Sequence, residues 1–278
     1  MVHRNAERHP VTDDDTIRHL IQTRHGAMHV RVTGEQDDAP PLVLLHMSPL
    51  SGRMFDRVVP LLARGRQVVV PDRLGFGYSD RLAERMPLSE YALATLDAFD
   101  AIGVRQFDVV GIHTGSTEAV ELATAHADRI RRVGIVAIPV FTEAELAAFK
   151  GHYFEPPEPA ADGSHLTWVW EWWREHQQKQ PGWTIELMHD RAVDHMDSWP
   201  FFWWTYHSVF DYPIADRLAR VEQPFLVLAP HDDLWPQTQN GRQYLPEHAQ
   251  FLELPHLALE IFNVATEKVA GCVEEFLA

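Results

Sequence analysis

Short apolar runs alternate along the chain with stretches of helical spacing. Pro41 to His46 (PLVLLH), Gln67 to Pro71 (QVVVP), Phe107 to Gly111, Arg132 to Ile138, Phe225 to Ala229 (FLVLA) and Gln250 to Leu254 are the runs. All six are predicted strands, and Pro41 to His46 and Gln67 to Pro71 are short continuous apolar runs of the kind buried on both faces. Between them, Leu88 to Ile102, Ser116 to His126 and Val264 to Leu277 carry helical periodicity, as Met54 to Ala63 and Gln239 to Tyr244 do over shorter spans. Near the N-terminus, Ile17 to Gln22 and Met28 to Thr33 flank Arg24-His25-Gly26, the pattern of a hairpin. Alternating strands and helices predict an α/β fold with a mainly parallel sheet, because each right-handed crossover lays its helix on a sheet face.

The rhythm breaks after Pro139. Residues 141–216 read as helical, polar and aromatic, with no buried-strand run, and the strand pattern resumes at Phe225. The expected organisation is a core of residues 1–140 and 217–278, interrupted by a helical insertion. Eight of the nine tryptophans fall in that insertion, and Trp235 is the ninth. Glu155 to Pro159 (EPPEP) is expected to form a short stiff loop within it.

Composition narrows the function classes. A formal charge of -16 over 278 residues disfavours nucleic acid and anionic lipid surfaces as partners. No apolar run approaches the ~18 residues of a membrane span. The polar stretch from Met1 to Asp15 lacks the apolar segment of a secretory signal, so a cytoplasmic location is expected. A single cysteine, Cys272, leaves no internal disulfide. No glycine-rich phosphate loop follows the first strand, so no organic cofactor is expected. The expected partner is a small-molecule substrate, and a homodimer is left open.

The chemistry-bearing segment is Asp108-Val109-Val110-Gly111-Ile112-His113-Thr114-Gly115-Ser116, between a predicted strand and a predicted helix. Gly111-x-His113-x-Gly115 has the spacing of a nucleophile elbow. The turn is so tight that side chains two residues either side of the central one would collide. It aims the central side chain above the sheet and turns the Thr114 N–H toward the same place.

Here the chain resembles the α/β-hydrolase superfamily over nearly its whole length. Leu44-Leu45-His46-Met47 is similar to the family's oxyanion turn, and Pro71-Asp72-Arg73-Leu74-Gly75-Phe76-Gly77-Tyr78-Ser79-Asp80 to its GxGxSD loop. Leu226 to Asp233 resembles the strand that ends in the acid, and Leu254-Pro255-His256 with Leu259-Glu260 the histidine loop. The resemblance implies an α/β-hydrolase fold with a helical cap after the sixth strand, and a site formed by His113, Asp233 and His256 in that chain order. It also implies oxyanion donors at the Met47 and Thr114 backbone N–H groups. Asp233 is preferred to its neighbour Asp232 by alignment of the strand end. Two departures stand out: histidine occupies the nucleophile position, and Met47 replaces the usual glycine. The oxyanion turn with His113-Thr114-Gly115 also resembles an uncharacterised bacterial subgroup.

Four roles for His113 remain open at this level. It is a covalent nucleophile whose acyl-imidazole is water-labile, a general base, a metal ligand with His256, Asp233 and His46, or a remnant in a binding protein. No metal is expected, since nothing else has ligand spacing. The expected reaction is hydrolysis of an ester, lactone, amide or C–C bond in a small apolar or aromatic substrate. The alternatives are cofactor-free lyase or C–C chemistry, and ligand binding without turnover. Expected support comes from His46 beneath the turn, Ser48 beside it, Trp204 and His207 in the insertion's aromatic run, and Trp235 after the acid.

Overall fold

A computed structural model describes residues 15–35, 39–152, 158–177, 182–199 and 201–278. Residues 1–14 and most of the EPPEP stretch lie outside the described residues. Eight strands form one sheet in the order β1-β2-β4-β3-β5-β6-β7-β8. They are β1 (Thr16–Thr23), β2 (Gly26–Thr33), β3 (Leu42–Leu45), β4 (Val68–Pro71), β5 (Phe107–Ile112), β6 (Ile130–Val136), β7 (Phe225–Pro230) and β8 (Gln250–Leu254). The β1–β2 hairpin and the β2–β4 pair are antiparallel, and every other pair is parallel. Strands β3, β4 and β7 are buried on both sides, which is why their sequences are unbroken apolar runs.

The helices of the two faces follow from the alternation of strand side chains. Val43, Val69, Val109, Val133 and Val227 face one core with α2 (Leu88–Ala101), α3 (Thr114–Ala125) and α8 (Ile214–Leu218). Leu44, Val70, Val110, Val136 and Leu228 face the other with α1 (Val59–Leu62), α10 (Ile261–Val264) and α11 (Thr266–Leu277). The helix predicted over Met54 to Ala63 is instead a 3-10 turn, Gly52–Phe55, followed by the single turn of α1. Pro60 explains the break: it has no N–H to continue a helix but fits its first turn. Likewise α9 (Trp235–Arg242) starts earlier than its periodicity suggests, because Pro236 occupies its first turn.

Between β6 and β7 the chain forms α4 (Glu143–His152), α5 (Ser164–Gln177), α6 (Ile185–Asp197), α7 (Phe201–Phe210) and then α8. This insertion is held unevenly. On α6, the Asp194 carboxylate accepts from the Ser51 N–H at 2.8 Å and the Ser51 hydroxyl at 2.9 Å. Arg191 of α6 pairs with Glu260 at 2.7 Å, both buried, and Ser198 donates to the Pro49 carbonyl at 2.9 Å. By contrast α4 has no buried residue. Polar contacts secure it: Gln237 and Asn240 donate to Glu145, and Lys150 pairs with Asp211. Among the described residues no helix is long and apolar enough to cross a membrane.

Candidate active site

β5 runs into α3 through a turn in which His113 has φ 50° and ψ -109°. A non-glycine residue adopts such a conformation only where its surroundings fix it. The fixing bonds are His113 N–H to Val136 O at 3.0 Å and Thr117 N–H to His113 O at 3.2 Å. The flanking glycines are sterically required. A Cβ on Gly111 would stand 2.1 Å from the Gly115 carbonyl oxygen, and one on Gly115 would stand 2.0 Å from that of Leu45. Ser116 is committed to the turn, with its hydroxyl donating to Val136 O at 2.8 Å.

The acid that meets His113 is Asp232. His113 Nε2 lies 2.8 Å from Asp232 Oδ2, whereas Asp233 Oδ1 is 4.0 Å away. The preference for Asp233 is therefore corrected in favour of its neighbour. Asp232 Oδ1 accepts the Leu234 N–H at 3.0 Å in the turn that starts α9, which locks the carboxylate inward. The Asp232 side chain is fully buried, while that of Asp233 is 36% exposed at the pocket wall. A signal for this was present: an aspartate that hydrogen-bonds the backbone two residues on precedes a helix with proline in its first turn.

Burial alone would drive the His113 imidazolium toward neutrality. The charge and hydrogen bond of Asp232, with Asp233 adding, outweigh it and hold the pKa above the ordinary histidine value. A carboxylate can only accept, so Nε2 carries a proton in this pair and Nδ1 holds the lone pair of the neutral ring. No residue among those described hydrogen-bonds Nδ1.

The structure does not bring His256 to this centre. The Leu257 N–H bonds to Leu254 O at 3.0 Å, and His231 N–H to Leu257 O at 2.8 Å. That tight turn directs Leu257 inward and leaves His256 exposed at its tip, without a hydrogen bond among the described residues. A second imidazole comes from the insertion instead. His176 of α5 donates Nδ1–H to Trp172 O at 2.8 Å and stacks on the Trp172 ring at 3.8 Å. Its Nε2 stands 4.0 Å from Asp233 Oδ2.

The oxyanion turn is supported from below. Buried His46 donates Nδ1–H to Met47 O at 2.9 Å and accepts the Arg73 N–H on Nε2 at 2.9 Å. Those two bonds require the neutral ring, and burial followed by the nearby Arg73 charge lowers its pKa to about 3. Arg73 is held by Glu118 at 2.7 Å. Thr114 opens α3, so its N–H has no acceptor within the helix. The Met47 N–H has no acceptor among the described residues. The Ser48 hydroxyl is buried without a partner among them, and the Ser48 carbonyl accepts from Tyr206 OH at 3.2 Å.

A pocket of about 580 Å³, part of it open to solvent, lies over the elbow. Met47, Ser48, His113 and Thr114 form its floor, Asp233 and Leu234 one side. Phe141, Phe149, Trp172, Tyr206 and Phe210 supply aromatic walls that residue order alone did not single out. Three expected pocket residues lie elsewhere. Trp204 packs on Phe201, His207 against Phe210, and Trp235 over His231.

Comparisons with known proteins agree with this fold. Residues 40–165 match the sequence profile of a family described as alpha/beta hydrolase fold. A 2-hydroxymuconate semialdehyde hydrolase of Pseudomonas sp. (strain CF600) is 37% identical over 100 residues, 34% of each chain. An uncharacterized carboxylesterase of Bacillus subtilis (strain 168) is 28% identical over 120 residues, 42% of this chain and 39% of that protein. The chain thus matches well under half the length of these curated relatives. The crystal structure of an enol-lactonase from Burkholderia xenovorans LB400 superposes with a TM-score of 0.72 at 19% identity, covering 93% of this chain and 99% of that one. Sheet order, elbow and the structural superposition together give the chain the α/β-hydrolase fold, and residues 40–165 resemble that family in sequence.

Proposed function

We propose that the protein is a hydrolase of small, largely apolar substrates carrying an ester, lactone or comparable carbonyl bond, with His113 as general base. The observation that carries this is the 2.8 Å His113–Asp232 bond at a strained elbow beneath an aromatic pocket. The similarity to a semialdehyde hydrolase and a carboxylesterase supports the reaction class.

Asp232 accepts a hydrogen bond from Nε2–H and orients the ring, which leaves Nδ1 to act. Nδ1 takes a proton from a water molecule as its oxygen attacks the carbonyl carbon. The oxygen of the tetrahedral intermediate is stabilised by the N–H groups of Met47 and Thr114, with the unpartnered Ser48 hydroxyl beside them. When the intermediate collapses, the bond to the leaving group breaks and Nδ1 returns the proton to it. Of the two routes through His113, this one is favoured because the covalent route needs a second base next to the ring. His256, assigned that task from sequence, is exposed.

Rapid-quench kinetics on an aryl-ester and lactone panel test the reading, with wild type, His113→Ala and His113→Ser in chelator-containing buffer. The expected result is steady turnover without an initial burst, lost in His113→Ala. A burst stoichiometric with enzyme would move His113 to the nucleophile role. Turnover unchanged in His113→Ala would remove it from the reaction and leave ligand binding as the reading.

A further inference from the structure

The pocket carries a half-exposed carboxylate in its wall and no lysine or arginine among its described lining residues to pair with it. That carboxylate is Asp233, whereas Asp232 of the same turn is fully buried against His113. The imidazoles of His113 and His176 each stand 4.0 Å from an Asp233 carboxylate oxygen, beyond hydrogen-bond reach, so this carboxylate accepts no hydrogen bond among the described residues and is open to a positive group in the pocket.

The wall opposite is aromatic. Phe141, Phe149, Trp172, Tyr206 and Phe210 line the same pocket as Asp233, with Phe141 5.0 Å from Phe149 and 5.6 Å from Phe210 between ring centres. A carboxylate at the rim of an aromatic enclosure suits an alkylammonium group, whose charge is spread over carbon-bound hydrogens and attracted to ring faces. The chain's net charge of -16 draws cations toward it at long range. From this we infer that the substrate of the proposed hydrolase carries an ammonium group, seated against Asp233 and the aromatic wall. The inference rests on the hydrolase reading for the word substrate, and on the pocket alone for the cation.

A metal ion is the competing cation, since His113, Asp232 and Asp233 present ligand atoms within 4.8 Å of one another. Two features favour the organic cation. Ligand atoms of one zinc ion lie at most about 4.4 Å apart, twice a bond length of about 2.2 Å, so the set would have to contract. Ligation through Nε2 would also displace its proton and so break the His113–Asp232 hydrogen bond, the shortest polar contact of His113.

The test uses a matched pair of probes, choline and its uncharged isostere 3,3-dimethylbutan-1-ol, titrated into the full chain with and without chelator by NMR. Choline is expected to bind about tenfold more tightly, a preference that shrinks at least threefold in Asp233→Asn and in Trp172→Leu and weakens with salt. A folded spectrum of each variant and unchanged binding of the isostere to Asp233→Asn separate recognition from misfolding. Equal binding of the two probes, or binding of neither, overturns the inference. So does Zn2+ that binds by calorimetry, excludes choline and is lost in Asp233→Asn, which would make the centre a metal site. Choline binding without turnover of acetylcholine or 3,3-dimethylbutyl acetate sinks the hydrolase reading but leaves the cation subsite standing.

Discussion

Replacing His195 by leucine isolates how this fold responds to acid. His195 lies on α6, 2% exposed, and neither ring nitrogen has a hydrogen-bond partner among the described residues. The rings of Phe202, Trp172 and Trp168 stand around it at 4.6, 5.7 and 5.8 Å, all close to edge-on. Burial, and then the neighbouring His176, lower its pKa from 6.5 to about 3. The unfolded chain takes up this proton near pH 6.5, whereas the folded chain refuses it until about pH 3. The stability that comes from keeping the ring neutral is therefore present above pH 6.5 and is lost as pH falls through that value. At pH 5 the difference amounts to about 1.5 pK units, or about 2 kcal/mol. Urea unfolding followed by tryptophan fluorescence at pH 7.5 and 5.0 measures it. His195→Leu should lose about 2 kcal/mol less than wild type between the two conditions. At pH 7.5 the change should be small, because the substitution also removes two unpaired polar atoms. His46, held neutral in both proteins, cancels from the comparison. Equal losses in the two proteins would refute the reasoning and mean that the box admits a proton or a water.

Three further outcomes follow from the site. The rate of ester hydrolysis should rise with pH through an apparent pKa above the usual histidine value, as His113 loses its proton, and Asp232→Asn should move that limb downward and cut kcat about a hundredfold or more; an unmoved limb would detach Asp232 from the titration. His256→Ala should retain turnover within about twofold, because the side chain is exposed and unbonded, and a loss above about tenfold would bring it back into the mechanism. Gly115→Ala should cost about 3 kcal/mol or more by calorimetry, since its Cβ would meet the Leu45 carbonyl at 2.0 Å, and a Tm close to wild type would refute the steric account.

Most of the sheet was legible because its strands are buried on both faces, so that Leu42–Leu45 and Phe225–Pro230 could only be apolar runs. The elbow was legible because its glycines are forced by contacts under 2.2 Å. What failed lay where a one-residue shift in a turn reverses direction. Asp232 and Asp233 are chemically identical, and only the hydrogen bond of Asp232 to Leu234 N–H distinguishes them. His256 and Leu257 differ in facing out or in through the Leu254–Leu257 turn, which no periodicity records. In α7 the densest aromatic run suggested Trp204 and His207, yet the pocket takes Tyr206, Val209 and Phe210 from that helix. A helix hydrophobic almost all round does not announce which stripe faces the ligand.

The uneven attachment makes the insertion two materials rather than one. Removing one member of the Arg191–Glu260 pair would strand a buried charge, so α6 tolerates change poorly. Helix α4 presents Phe149 to the pocket from an element with no buried residue, whose ties to Gln237, Asn240 and Asp211 lie near the surface. Variation in a lineage, or in a randomised library, can therefore accumulate along α4 without unseating the scaffold, while α6, which anchors the insertion and contributes none of the described lining residues, stays constant. The pocket is thus free to change shape from the α4 side.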